Sequence, residues 1–537
     1  MQTLILDFIS INRKIYISVV QTYINMVYIR KHMSRGKTYF SVVKTFRENR
    51  KIKQKIIYYI GSEKEYSQFI ESSVNTQNLL SSELENLSYS APLELLKLAN
   101  EIEIQKIITN KFPKEWGIDA GTASTLMILN YCFDSKSKNK LSDWYDQTYL
   151  KHELKIPSKK INRDLLYHTL DFFDEEKIED LHKQIFQKAK EKYNLSNEIT
   201  MYDVTALFFE GDKCELAKKG YNSEAMYKLQ VNLGLAVTNE KFPVMHKVFE
   251  GNKKDVQTFE KVFNLLNKTI NISNTIFIFD RGIKSKGNVE KIIKENSQYI
   301  AGTTKNDTIK DMILNINEKD FHPLDENNFY LETNDKIRTI IFWNKEIQEV
   351  EKRERDKKLN RILKELSELN PKNYRKKKIR FIEKVGEILG KYHKYFEIEY
   401  KNFSFKLKED EIKKAEVLDG KCAIETNTNF SAGEILQRYR SRNIVEMSFK
   451  DLKLFVDIRP IRHYKENRVL AHVFLAILAF GLRSLLELKL RRNNLQITAQ
   501  EAIEQLSKIR VLCVNGKILR TTGETEITQK IQQILSI

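Results

Sequence analysis

Four residues toward the carboxyl end of the chain, Tyr439, Arg442, Glu446 and Lys453, stand three, four and seven positions apart. On one continuous helix that spacing puts all four side chains on a common face. Ile444, Val445, Met447, Phe449 and Leu452 give the same helix an apolar side that can seat on a core. A carboxylate flanked by two cations and a phenol can bind a metal and grip phosphates, which is chemistry suited to a nucleic-acid backbone. Charged helix faces are also common on plain surfaces, so the stripe alone leaves both readings open.

Two more carboxylates stand in strand-like surroundings. In SNEITMYDVTALFFEG, residues 196–211, Met201, Asp203 and Thr205 alternate with Tyr202, Val204 and Ala206, a strand pattern with one acid among apolar neighbours. In NTIFIFDRG, residues 274–282, a continuous apolar run from Ile276 to Phe279 fits a strand covered on both faces. Asp280 follows at its carboxyl end, where open α/β sheets place their sites. Singly, Asp280 also fits a turn or helix cap, and Asp203 a solvent-facing strand position. With Glu446 they make a trio suited to hard divalent cations, of the kind that holds two Mg²⁺ about 3.5–4 Å apart.

On these residues the chain resembles the DDE transposases of bacterial insertion sequences, in the branch with a Tyr-x2-Arg-x3-Glu-x6-Lys signature around the catalytic Glu. The resemblance extends through YDVTALFFE, residues 220–237 and 242–259, IFIFDRG, and the RPIRHYKENRVLAHVFLAILAFGL stretch after the Glu. It also takes in the segment that opens near Val27. It implies a ribonuclease H-like mixed-sheet α/β core interrupted by a β-rich insertion. It implies Asp203, Asp280 and Glu446 as catalytic metal ligands, and Tyr439, Arg442 and Lys453 as residues that hold the DNA end. Two Mg²⁺ per active site, or Mn²⁺ in their place, would serve hydrolysis at the transposon ends and attack of the freed 3′-hydroxyl on target DNA. The implied partners are double-stranded DNA, as terminal inverted repeats and target, and a second copy of the chain in a homodimer. Two competing functions share these residues: a structure-selective nuclease on the same core, and an inactive transposase-derived DNA-binding protein.

Composition agrees with this reading. A length of 537 residues suggests several domains. The net charge of +19, from 91 Lys+Arg against 72 Asp+Glu, favours a polyanionic partner, though a ribosome or membrane-surface binder shares that bias. Cys132, Cys214, Cys422 and Cys513 lie far apart without paired metal spacing, which fits buried or idle thiols in a reducing cytoplasm; the resemblance implies a bacterial one. None of the nine His pairs with Cys at zinc spacing, and His463 and His472 read as packing or backbone-contact residues. No Gly-rich phosphate loop appears around Gly211, Gly220 or Gly234. No membrane span is expected: Asp7, Arg13 and Lys14 interrupt the amino-terminal apolar stretch, and VFLAILAFGL, residues 473–482, is short enough to be a buried helix.

The elements that must position these residues divide the chain. Residues 1–26 read as an extension outside the core. Residues 27–91 read as a small basic β segment and linker, and 92–195 as a helical DNA-binding region. Residues 196–305 carry the first part of the catalytic core, 306–424 the insertion, 425–490 the second part with the Glu helix, and 491–537 a helical tail. Asp280 and Glu446 are 446 − 280 = 166 residues apart, too far for a plain connection. Within that interval a charged helix with Leu359, Ile362, Leu363, Leu366 and Leu369 on one side ends before Pro371. RKKKIR, residues 375–380, reads as a solvated charge run or a phosphate patch. Asp419 reads as a turn residue, and Asp255 as a helix cap.

Overall fold

The computed structural model describes residues 27–536 apart from 35, 49–50, 75–83, 115–116, 134, 197, 221–227, 271, 335–336, 375–377 and 515. The expected extension at 1–26 and half of the RKKKIR run therefore lie outside the described residues. The chain forms two compact units: the part through Lys177 with Leu454–Asp457 and Leu475–Ile537, and Ile178–Lys453 with Ile458–Phe474.

In the first unit, Val27–Ser34, Lys37–Glu48 and Lys51–Ser62 pair antiparallel in sequence order. Alternation along the middle strand buries Phe40 and Val42 on one face, where Tyr58 and Ile60 of the next strand join them. Helix Glu63–Val74 covers that face, with Tyr66 stacked on Phe40 at 4.0 Å. The stretch read as linker thus contains this helix and a strand, Leu84–Ser88. Helices then follow from Ser90 to Asp171.

The carboxyl-terminal tail differs from the helical expectation. Between helices Ala499–Ser507 and Glu526–Ser536 it holds a hairpin, Arg510–Val514 with Lys517–Thr522, and the first of these strands pairs with Leu84–Ser88. Val511, Leu512 and Cys513 are all buried, as both faces of a central strand should be. Gly516 sits in the turn at φ +79°, a conformation that costs glycine little. VFLAILAFGL is the middle of a longer helix, Glu466–Arg492, rather than a short one. Its most apolar 18-residue window has a mean hydropathy of 2.1, enough by length and composition to cross a membrane, yet 94% of it is buried within the fold.

The second unit is a mixed α/β structure built on a ten-stranded sheet. The strand order is His322–Pro323, Asn328–Asn334, Arg338–Asn344, Lys421–Thr426, Gln298–Thr303, Ile276–Phe279, Ile199–Phe208 and Leu229–Thr238. Lys218–Lys219 and Pro243–Glu250 both pair with the last of these. Gln298–Thr303, Ile276–Phe279 and Ile199–Phe208 run parallel, and the remaining pairs are antiparallel.

The stretch 306–424 does not form a separate β-rich body. Its outer strands, Asn328–Asn334, Arg338–Asn344 and Lys421–Thr426, extend the central sheet. Its middle is helical: Lys345–Ser367 packs Leu359, Ile362 and Leu366 against Phe381, Val385 and Leu389 of Lys378–Leu389, with a two-stranded ribbon, Phe396–Glu399 with Ser404–Leu407, alongside. Apolar residues at helical spacing on an otherwise charged segment give it one stripe to bury, here against that helix and ribbon. Asp419, read as a turn residue, ends helix Glu409–Leu418 and pairs with the buried Arg355 at 2.5 Å. His472 hydrogen-bonds the Ile458 carbonyl at 2.9 Å, a backbone contact as its sequence context suggested.

Candidate active site

Strand register brings the two aspartates together. Ile199, Thr200 and Met201 pair in parallel with Ile276, Phe277 and Ile278. Carrying that offset two residues further sets Asp203 opposite Asp280, on strands about 4.8 Å apart. Tyr202 turns to the opposite face, where its hydroxyl donates to Thr258 Oγ1 at 2.7 Å and its ring meets Phe259 edge-on. The next residue, Asp203, is thereby directed away from that helix. Phe277 and Phe279 pack on Phe259 and fix the second strand to the same layer. Immediately after it the chain turns, the Ile283 amide donating to the Asp280 carbonyl at 3.1 Å, and Ser285 caps helix Lys286–Lys294.

The expected single helix carrying Tyr439, Arg442, Glu446 and Lys453 is two helices, Ala432–Arg440 and Asn443–Leu454. Ser441 closes the first, its hydroxyl donating to the Arg438 carbonyl, and tight bonds from Arg442 to Tyr439 and from Val445 to Arg442 carry the chain through the corner. Val445, Ser448, Phe449 and Leu452 seat the second helix. Met447, expected in the core, is 47% exposed, because it lies on the far side of that stripe. Glu446 stands in the first turn of the second helix and Lys453 in its last.

The corner still brings two of the four signature residues, Tyr439 and Arg442, to Asp280, and Arg442 reaches on to Glu446. Tyr439 donates a hydrogen bond to Asp280 Oδ1 at 3.2 Å. Arg442 Nη1 lies 3.5 Å from the same oxygen and 3.2 Å from Glu446 Oε1, while its guanidinium stacks over the Tyr439 ring at 4.9 Å. Arg442 therefore links Asp280 to Glu446. Lys453 is about 10 Å further along the helix from Glu446, at 1.5 Å per residue.

Three carboxylates and a fourth neighbour set the electrostatics. Burial pushes the Asp203 carboxyl up to about 7, and the negative charges of Asp255, Asp280 and Glu446 add to the rise against an opposing hydrogen bond from the Val204 amide. Burial also raises Asp255, which begins helix Asp255–Thr269. Burial keeps the Tyr439 phenol protonated, with the nearby Arg442 opposing and Asp280 assisting. Acids gathered around a buried carboxyl, with a guanidinium already lodged between two of them, make a site suited to positive charge. The oxygen-only donor set of Asp203, Asp280 and Glu446 fits Mg²⁺ or Mn²⁺.

Two supports escaped the sequence reading. Gly302, on the strand beside Asp280, leaves the room that the Tyr439 hydroxyl fills: a Cβ there would lie 2.2 Å from that oxygen. Lys284, four residues after Asp280, pairs with Glu425 at 2.5 Å, and Thr303 donates to the same carboxylate at 3.1 Å. That cluster braces the Gln298–Thr303 and Lys421–Thr426 strands next to the site. The glycine carries no signal in a single sequence, and the Lys–Glu pair spans more than a hundred residues.

Among solved structures, the chain is similar to that described as the cryo-EM structure of the piggyBac transposase synaptic complex with hairpin DNA, at 10% identity and a TM-score of 0.41, over 80% of this chain and 82% of that one. It also matches the Mos1 transposase paired-end complex with left transposon end, at 13% identity and a TM-score of 0.15, over 35% and 60% of the two chains. No curated protein matches the chain. A family model described as the transposase DDE domain matches residues 194–482, a span that contains Asp203, Asp280 and the whole Tyr439–Lys453 signature and exceeds half of the sequence. The chain belongs to the DDE transposase family.

Proposed function

We propose that the protein is the DNA transposase of a bacterial insertion sequence, in the branch with the Tyr-x2-Arg-x3-Glu-x6-Lys signature, on a ribonuclease H-like core. The observation that carries the reading is Asp203 and Asp280, each two residues beyond the paired stretch of two parallel strands, with Asp280 joined to Glu446 through Arg442. Asp203, Asp280 and Glu446 would hold two Mg²⁺, which supply activation of an attacking oxygen and neutralisation of the leaving oxygen. Arg442 and Lys453 would hold phosphates of the transposon end. Tyr439, with its phenol kept protonated, donates to a carboxylate or phosphate and offers a ring for a base to stack on. Water attacks the phosphodiester at the transposon end, and the freed 3′-hydroxyl then attacks target DNA. The charge of +19 supplies non-specific attraction to both DNAs, and a homodimer would hold the two ends together.

The test is a strand-transfer reaction with Mg²⁺, paired terminal repeats from the gene's own flanks and a supercoiled target. Joined product that vanishes in Asp280→Asn and Glu446→Gln supports the reading. Cleavage without joining would reassign the protein as a nuclease, and DNA binding without either reaction would make it an inactive derivative.

A further inference from the structure

A second cluster, in the first unit, takes no part in the reaction above. Glu85 and Cys513 face each other as a cross-strand pair on Leu84–Ser88 and Arg510–Val514, and His152 of helix Leu150–Glu153 completes the group. His152 Nε2 lies 2.6 Å from Glu85 Oε2, and Cys513 Sγ lies 3.8 Å from the same oxygen. All three donor atoms fall within 4.8 Å of one another. Around a tetrahedral zinc ion, bonds of about 2.0–2.3 Å set oxygen and nitrogen about 3.3 Å apart, and oxygen and sulfur about 3.6 Å. The Cys–Glu spacing is already near that value, and the His–Glu pair needs to open by about 0.7 Å, which a small carboxylate rotation provides.

We propose that Glu85, His152 and Cys513 form a zinc site, with water or an exogenous ligand in the fourth position, that ties the strand pair to the helix. A thiolate, an imidazole and a carboxylate together select zinc over magnesium or calcium. The surroundings hold the donors in place. Cys513 is fully buried. Gly516 packs against the far edge of the imidazole, where a Cβ would come 2.9 Å from His152 Nδ1, so Nε2 is the nitrogen turned toward Glu85. Lys151 takes the other Glu85 oxygen at 2.5 Å and leaves Oε2 for the metal. Burial, with Glu85 beside it, pushes the Cys513 thiol up to about 11. At neutral pH the thiol is therefore protonated, and forming the zinc–sulfur bond releases one proton to solvent.

The experiment titrates Co²⁺ into chelator-treated full-length protein carrying Asp203→Asn and Glu446→Gln, which remove the carboxylate site from the readout. The expected result is a near-ultraviolet sulfur-to-cobalt charge-transfer band that saturates at one equivalent, is displaced by Zn²⁺ and disappears in Cys513→Ser. His152→Gln, at a partly exposed position, should raise the Co²⁺ dissociation constant at least tenfold with the circular dichroism unchanged, and carries the test if the serine variant does not fold. No band in the parent protein, a band that survives Cys513→Ser, or unchanged affinity in His152→Gln would overturn the proposal.

Discussion

Removing the charge of Asp203 should stabilise the metal-free protein while ending catalysis. In the unfolded chain this carboxyl titrates near its ordinary 3.8; in the fold, burial and three neighbouring acids push it up to about 7. Between those values the unfolded chain has lost the proton and the native state still holds it. Stability therefore falls as pH rises from about 4 to about 7, and stays at the lower level above that. At 1.36 kcal/mol per pH unit the difference is at most about 4 kcal/mol, and partial solvent exposure reduces it to about 2. Asp203→Asn keeps the size of the side chain and an oxygen for the Val204 amide but abolishes that penalty. In EDTA at pH 8 its unfolding midpoint should exceed that of the parent by about 4 °C, and at pH 4 the two should coincide. Adding Mn²⁺ should raise the parent's midpoint and leave the variant's nearly unchanged, because the metal neutralises the same buried charge. Equal midpoints at pH 8, or a gain that does not depend on pH, would refute the argument that burial beside other acids penalises the Asp203 charge.

Three other perturbations test separate parts of the account. Gly302→Ala should displace the Tyr439 ring from Asp280 and lower end cleavage at least tenfold. In a Tyr439→Ala background the same change should cost about 1–3 kcal/mol less stability, read as the coupling in a double-mutant cycle. Arg442→Gln removes the cation between Asp280 and Glu446, so DNA-free Mn²⁺ binding, followed by electron paramagnetic resonance, should tighten about fivefold while cleavage falls. Arg355→Leu strands the Asp419 carboxylate and should cost about 3–5 kcal/mol in denaturant unfolding at pH 8. That loss should shrink toward pH 5, because burial already raises Asp419 and protonation removes the orphaned charge.

The parts of the site carried by local pattern could be read from the sequence. Period-two alternation around Asp203 and the Ile276–Phe279 run gave both strands, since side-chain period and burial are local properties. Their adjacency was not readable, because register is set by the sheet as a whole. The Tyr439–Lys453 spacing suggested one helix, and the chain forms two. The corner at Ser441 and Arg442 depends on a hydroxyl–carbonyl bond that no periodicity announces. In the interval between Asp280 and Glu446, the strands were legible and their membership in the central sheet was not, because pairing partners lie up to 126 residues away. The tail hairpin did leave a signal: Asn515-Gly516 between two apolar alternating runs favours a tight turn, and the adjacent helical segments obscured it. Glu85, His152 and Cys513 had no such trace, since metal motifs are recognisable only when donors are close in sequence.

The central claim is that Asp203, Asp280 and Glu446 share bound metal, and iron-directed cleavage of the polypeptide measures it most directly. Fe²⁺ substituted for Mg²⁺, with ascorbate and peroxide, produces hydroxyl radicals that cut the backbone within a few ångströms of the ion. Three clusters of cuts are expected, near residues 203, 280 and 446, all suppressed by excess Mg²⁺ and all lost together in Asp203→Asn. Cuts at the two aspartates without any at Glu446, or a Glu446 cut that persists when Asp203 is changed, would contradict it.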